Sequence, residues 1–217
     1  DRYPIGVDRV VASGLPFHGM RGCVLSNEFL DSAPVHQVTM LRGVLREVYV
    51  TLKDGELTPD LREPSTPALS ARLEDLGIDL TEGQTAEINL GLSGWAGEVA
   101  AALEAGFALT IDYGQPAEEL YSAERRRQGT LTTYYRHTQT DAPFRNVGRQ
   151  DMTAQVDFTS VIQAGRRAGL TPLGFTLQRK FLSNLGLDHL QRQLGFPGLD
   201  QAAIQANRAG MIDLARP

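Results

Sequence analysis

Two short apolar runs, Cys23-Val24-Leu25 and Phe107-Ala-Leu-Thr-Ile111, each discharge directly into a polar, acidic turn. The first meets Asn27, Glu28 and Asp31 within VLSNEFLDSAPV; the second meets Asp112-Tyr113-Gly114. A near-continuous apolar run is the pattern of a strand buried on both faces of a parallel sheet. In open α/β sheets ligands sit beyond the carboxyl ends of the strands, where polar side chains converge without entering the core. Acidic strand ends of this kind therefore point to a fold that holds a ligand pocket at that edge.

The remaining patterns agree. Asp8 to Ala12 and Gly22 to Ser26 read as strands. Val38–Met40 and Val48–Leu52 alternate as exposed sheet strands, with Asp54-Gly55 as a hairpin turn, so that 36–80 reads as an antiparallel insertion. LTPDLREPSTPAL, with its three prolines, reads as a surface loop. From Thr85 to Ala105 the apolar residues Ile88, Leu92, Trp95, Val99 and Leu103 recur at helical spacing, and Gly106 reads as the stop. Residues 115–150 are polar and irregular, a long loop on the active-site side. Asp157 is placed to cap a helix ending at Gly169, and Leu173–Leu177 alternates as a strand before a set of short helices. Strand, helix, buried strand, helix, strand is the order of an α/β doubly wound sheet.

Composition narrows the function classes. A net charge of −5 argues against general nucleic-acid binding. The one cationic cluster, Arg125-Arg126-Arg127, reads first as a solvated helix face and second as an acidic-partner contact. No apolar run approaches a membrane span. A single cysteine, Cys23, excludes an internal disulfide framework and points to a reducing, cytoplasmic setting; its strand pattern makes it a core thiol. His18, His36 and His189 are scattered, without metal-ligand spacing.

Five blocks, LSNEFLDSAPVHQ, GFALTIDYG, GTLTTYYRH, GRQDMTAQVDFT and QRKFLSNLG, occur in an order that resembles the MidA-like family over roughly residues 20–190. The resemblance implies a Rossmann-like class I methyltransferase sheet using S-adenosylmethionine. The family's mitochondrial member is a complex I assembly factor associated with dimethylation of an arginine. One family feature is not found: the glycine-rich strand-to-helix turn of the ELGPGRG type. Gly91, Gly94 and Gly97 read as the start of a helix with no strand ahead of it. The chain thus reads as the C-terminal part of the enzyme, with the first strands of the sheet absent. An exposed apolar surface left by the missing half would favour self-association into a homo-oligomer.

If the acceptor is an arginine, its guanidinium must be held flat, and carboxylates grip it with paired hydrogen bonds. Glu28 is the candidate clamp, and Asp31 would join it on one face of a single helical turn. The alternative is that Asn27 caps that turn and the two acids only favour its N-terminus. Ser26 and Asn27 are assigned to the cofactor. Asp112, Tyr113, Gly114 and His137 are assigned to the substrate, although Gly114 is equally a turn glycine with positive φ and His137 equally a structural loop histidine. Two functions follow: a methyltransferase acting on a protein substrate, or a non-catalytic module that binds a partner through the substrate half of the fold.

Overall fold

The computed structural model describes residues 14–136, 138–193 and 200–214. The chain divides into a unit of residues 1–172 and a smaller one of residues 173–217. In the first unit, strands β1 (Met20–Asn27), β2 (His36–Leu41), β3 (Val44–Lys53) and β4 (Glu56–Arg62) precede helix α1 (Ala68–Leu76). Strand β5 (Thr85–Ile88), helix α2 (Leu92–Ala102) and strand β6 (Leu103–Ile111) follow, and then β7 (Gly114–Gln115) and α3 (Ala117–Leu120). Strands β8 (Thr132–Tyr135), β9 (Thr138–Thr140), β10 (Asp151–Thr153) and β11 (Val156–Asp157) lead into helix α4 (Phe158–Arg167).

The architecture is mixed α/β. Strands β1 and β6 pair in parallel, with Cys23 opposite Phe107 and Asn27 opposite Ile111, so both acidic turns leave the same end of one ribbon. Burial departs from the sequence pattern. Leu25 is 63% exposed, Phe107 62%, and Cys23 is exposed rather than a core thiol. Two paired strands cannot cover both of their own faces; apolar runs of this type are buried only where further layers lie against them. Gly106 is no helix stop. It lies within β6 opposite Gly22 with φ +143°, and a Cβ there would collide with the Gly22 backbone.

A second sheet is antiparallel, in the order β4-β3-β2-β5. Asp54-Gly55 turns β3 into β4 as the sequence suggests, with φ of +52° and +84°. Arg42-Gly43 makes the equivalent turn between β2 and β3, with φ of +54° and +72°. Two readings are corrected here. Of the stretch 57–69 read as a proline-rich loop, 57–62 belongs to strand β4, because β4 is an edge strand whose outer side tolerates Pro59, whereas 63–67 is loop as expected. Thr85–Ile88 is likewise a strand, pairing with β2, and only Leu92–Ala102 of the expected long helix is helical. A strand therefore does precede Gly91.

Val38, Ala86 and Ile88 on one face of this sheet pack against Leu69 and Leu73 of α1 as the principal core. A second cluster joins Leu92 and Ala96 of α2 to Phe158 and Ala164 of α4, with Leu30 and Val156 inserted between them. Asp157 caps α4 as expected, its carboxylate accepting from the Ser160 amide at 3.1 Å. The stretch 115–150 is more ordered than its composition suggests: it holds α3 and the β8–β9 hairpin, which β10 extends to three strands. The smaller unit contains α5 (Gln178–Asn184), α6 (Leu187–Arg192) and α7 (Gln201–Leu214). Leu173–Leu177 forms no strand there, and Leu173, Phe175 and Leu177 are exposed. The expected strand at Asp8–Ala12 lies outside the described residues.

Buried Glu47 ties the antiparallel sheet together. Its carboxylate meets His36 Nδ1 at 2.7 Å and accepts from the Ser65 amide. Burial alone would raise its pKa, but the hydrogen bonds from His36 and Ser65 outweigh that and hold it below the usual glutamate value. A carboxyl depressed in the fold stabilises above its unfolded pKa, and the contribution is lost as pH falls through the folded value. Glu47→Gln is therefore expected to cost about 1–3 kcal/mol at pH 7, and less as pH falls below about 4, by urea denaturation.

Candidate functional site

The site is assembled by Asp112. Its Oδ2 accepts from the backbone amides of Phe29 (3.1 Å), Leu30 (2.8 Å) and Asp31 (3.3 Å), and its Oδ1 accepts from the Tyr113 amide at 2.9 Å. The carboxylate that ends β6 thus caps the turn that follows β1. Neither arrangement read from the sequence is the one formed: Glu28 and Asp31 do not share a helical turn, and Asn27 is the last residue of β1 rather than a cap. Glu28 itself is left-handed, φ +47°, while its amide donates to Ile111 O at 2.9 Å. That conformation is uncommon for glutamate and turns the chain sharply out of the ribbon.

The two flanks are stitched to the segment before α4. Ala154 N donates to Asp31 O at 2.9 Å, and Val156 N donates to Tyr113 O at 2.8 Å. Gly114 is required there for a different reason from the one expected. It has no positive φ; it pairs with Val156, and a Cβ would run into the Val156 carbonyl and the Phe158 ring.

These elements border a polar recess, open to solvent, with Asp31, Tyr113, Thr132, Tyr134 and Gln139 in its lining. Asp31 is buried, at 7% exposure. Burial, and then the neighbouring Asp112 and Glu28 carboxylates, push its pKa above the ordinary aspartate value, against the backbone hydrogen bonds that lower it. Tyr113 lies within hydrogen-bonding reach of the exposed Glu28 carboxylate, and the Glu28 charge, followed by burial, raises the phenol pKa. Sequence reasoning placed Glu28, Asp31, Asp112 and Tyr113 correctly at one edge, but missed Tyr134, Thr132 and Gln139. The period-two alternation Thr132, Tyr134 within GTLTTYYRH was the available signal. It also missed Glu87, a buried carboxylate that accepts from Thr130 N (2.7 Å) and Thr130 Oγ1 (3.0 Å) and so fixes the start of the β8 hairpin. His137 lies outside the described residues. A second recess is lined by Arg72, Tyr121 and Asp157 among others. There the Asp157 carboxylate is taken by Ser160, and the Tyr121 hydroxyl donates to Glu87 O.

Residues 12–176 match the family described as "Putative S-adenosyl-L-methionine-dependent methyltransferase". The chain belongs to this family. It is 29% identical over 177 residues to the Caenorhabditis elegans protein named "Protein arginine methyltransferase NDUFAF7 homolog, mitochondrial", an alignment covering 78% of this chain and 38% of that one. Among solved structures, a "likely methyl transferase" from Burkholderia thailandensis bound to S-adenosyl-homocysteine superposes with a TM-score of 0.80 at 33% identity. That match covers 94% of this chain and 50% of the other. A native structure of an uncharacterized Burkholderia thailandensis protein gives a TM-score of 0.79, also at 33% identity, covering 94% of this chain and 52% of that one. The chain thus spans about half the length of the solved relatives, and less of the curated one.

The family's cofactor is S-adenosylmethionine. Of the residues assigned to it, Ser26 donates its hydroxyl to Thr110 Oγ1 at 3.1 Å, and Asn27 is exposed at the end of β1. Gly91 precedes α2, with Gly94 and Gly97 inside it; none has positive φ, and the Gly91 amide is taken by Asn89 Oδ1 at 2.8 Å. Among the described residues these groups do not make a cofactor cradle, and no chemical step is routed through them.

Removing the Asp112 carboxylate unties both turns at once. Asp112→Ala is expected to cost about 2–4 kcal/mol, since several amides in a partly buried turn lose a charged acceptor. Hydrogen exchange at Phe29, Leu30 and Asp31 should accelerate more than at β3; unchanged protection there would show that the turn holds without it.

Proposed function

We propose that the intact protein transfers a methyl group from S-adenosylmethionine to an arginine of a protein substrate, on a Rossmann-like sheet in which β1 and β6 are neighbouring strands. The observation that supports this best is the division of labour among three carboxylates at one strand edge. Asp112 is consumed by backbone amides, while Asp31 lines a recess and the exposed Glu28 lies beside Tyr113 at its edge, neither with a basic partner. Carboxylates free of basic partners, beside tyrosines, suit a cationic acceptor.

Binding would replace the Tyr113 hydroxyl at Glu28 with a guanidinium N–H, and Asp31 would hold the same plane from within the recess. Holding the acceptor nitrogen in line with the sulfonium methyl, away from water, supplies most of the acceleration. As the nitrogen–methyl bond forms, the sulfonium S–CH3 bond would break and S-adenosylhomocysteine would leave; one surplus proton would remain on the substituted nitrogen, and Glu28 would take it. Asp112 acts as a positioning residue. The name of the Caenorhabditis elegans relative supports arginine as the acceptor, and the MidA-like resemblance supports a respiratory complex I type subunit as its carrier. Within the described residues no helix is long and apolar enough to cross a membrane, and a lone cysteine suits the cytoplasm and the mitochondrial matrix alike.

Glu28→Gln in the intact protein should lower incorporation of labelled methyl into the acceptor by about 100-fold or more, the scale of losing a proton acceptor and one half of a clamp. Undiminished turnover would remove Glu28 from the mechanism.

The exposed β1–β6 ribbon favours a second reading, a partner-binding module without catalysis. Calorimetric titration of the 217-residue chain with S-adenosylmethionine separates the two. Weak or undetectable binding is expected; micromolar binding would show a complete cofactor site in this chain and remove the ground for the second reading.

A further inference from the structure

The lining of the acceptor recess is written in the register of the small three-stranded sheet. Tyr134 stands opposite Gln139 on β9 and opposite Asp151 on β10, and Thr132 stands opposite Thr153. Residues directly opposite share a face, and alternate residues of a strand do too. Thr132, Tyr134, Gln139, Thr153 and Asp151 therefore occupy one face, and all but Asp151 line the recess. Thr133 and Tyr135 point the other way, where Thr133 is buried and the Arg136 guanidinium stacks 5.2 Å from the Tyr135 ring centroid. The recess face carries no basic residue among its described lining. Its charges are Asp31 inside, Glu28 beside Tyr113, and Asp151 on the outer end of the same sheet face.

Tyr113 reaches this recess from the end of β6 and Tyr134 from β8, at 63% and 39% exposure. Both rings are open to a ligand. Asp31 is not: its burial leaves it accessible chiefly through the recess. A buried carboxylate approached past tyrosine rings, with hydroxyls and amides in the recess lining and the Asp112 and Glu28 carboxylates nearby, is a site for a cation that can also stack. Guanidinium is planar, weakly hydrated and forked; ammonium is compact and strongly hydrated, and gains less from either the ring faces or a bidentate carboxylate.

We propose that Tyr113 and Tyr134 are the specificity residues of this site, forming aromatic walls that select a flat guanidinium over an ammonium while Asp31 fixes its inner edge. This rests on the acceptor reading above. It adds that discrimination resides in the tyrosines and not in charge, since Asp31 and Glu28 attract either cation.

The test is binding, which methyl transfer does not enter. The full chain is titrated with Nα-acetyl-arginine-N-methylamide and with its lysine counterpart, read from tyrosine ring chemical shifts. The arginine probe should bind about ten-fold more tightly than the lysine probe. Tyr134→Leu should reduce that preference to about two-fold or less, while Tyr134→Phe and Tyr113→Phe, which keep the ring face, should retain it. Asp31→Asn should weaken both probes together. If Tyr134→Leu proves unfolded by circular dichroism, the more exposed Tyr113→Leu carries the same test. Equal binding of the two probes to the wild-type chain, binding of neither, or a preference that survives loss of either ring overturns the proposal. A preserved preference with no methyl incorporation in the intact protein would sink the enzymatic reading and leave the pocket standing; incorporation with no preference would do the reverse.

Discussion

The contact between the Asp112 carboxylate and the amides of Phe29, Leu30 and Asp31 organises everything around it. Those residues are separated by more than 80 positions in the chain, and only the parallel pairing of β1 with β6 brings them together. A carboxylate accepting several amide hydrogens is a strong, charge-assisted interaction. It fixes the direction in which Glu28 and Asp31 leave the ribbon. The hydrogen bonds from Ala154 to Asp31 and from Val156 to Tyr113 then carry the same frame across to α4.

This arrangement leaves an imbalance that is informative. Three carboxylates crowd one edge, and no arginine or lysine forms an ion pair with any of them among the described residues. Asp31 is buried close to like charges, and its raised pKa records that the ionised form is disfavoured in the folded state. For a group with that shift, stability is lost as pH rises from the unfolded value through the folded one, so Asp31 works against folding as pH rises above the ordinary aspartate range. Structural carboxylates in the same molecule behave otherwise: Glu47 is held down by His36 and Ser65, and Glu87 is satisfied by Thr130 and Gln37. Crowded like charge at Asp31, beside carboxylates relieved by hydrogen bonds elsewhere, supports the proposal that this edge takes a cationic ligand.

Reading the chain without its fold recovered the elements whose signals are local. The Asp54-Gly55 turn, the Asp157 cap and the parallel apolar strands were all legible, because turn and cap chemistry acts within a few residues. Within the proline-rich stretch 57–69, residues 57–62 form a strand despite Pro59, which suggests a loop until the edge position of β4 is known. Thr85–Ile88 was misread because its apolar spacing suits a helix as well as a strand, and its pairing with distant β2 decided the matter. Arg42-Gly43 lacks the asparagine or aspartate that advertises such a turn. Leu173–Leu177 alternates as a strand would, yet no strand pairs with it among the described residues.

What the sequence determined by itself was chemical: which acids end the two apolar runs, and the five blocks that carry the family resemblance. The role of each acid was decided by tertiary structure. Asp112 and Glu28 are similar side chains at similar strand ends, and nothing local says which will meet the backbone and which will stay exposed. The long-range pairing of β1 with β6 made that assignment, and the β8–β9–β10 register puts Tyr134 in the lining of the recess that Asp31 also lines. Hydrogen-bond partners more than 80 residues away are invisible to periodicity, and they are what separates the carboxylate held by backbone amides from the one left exposed.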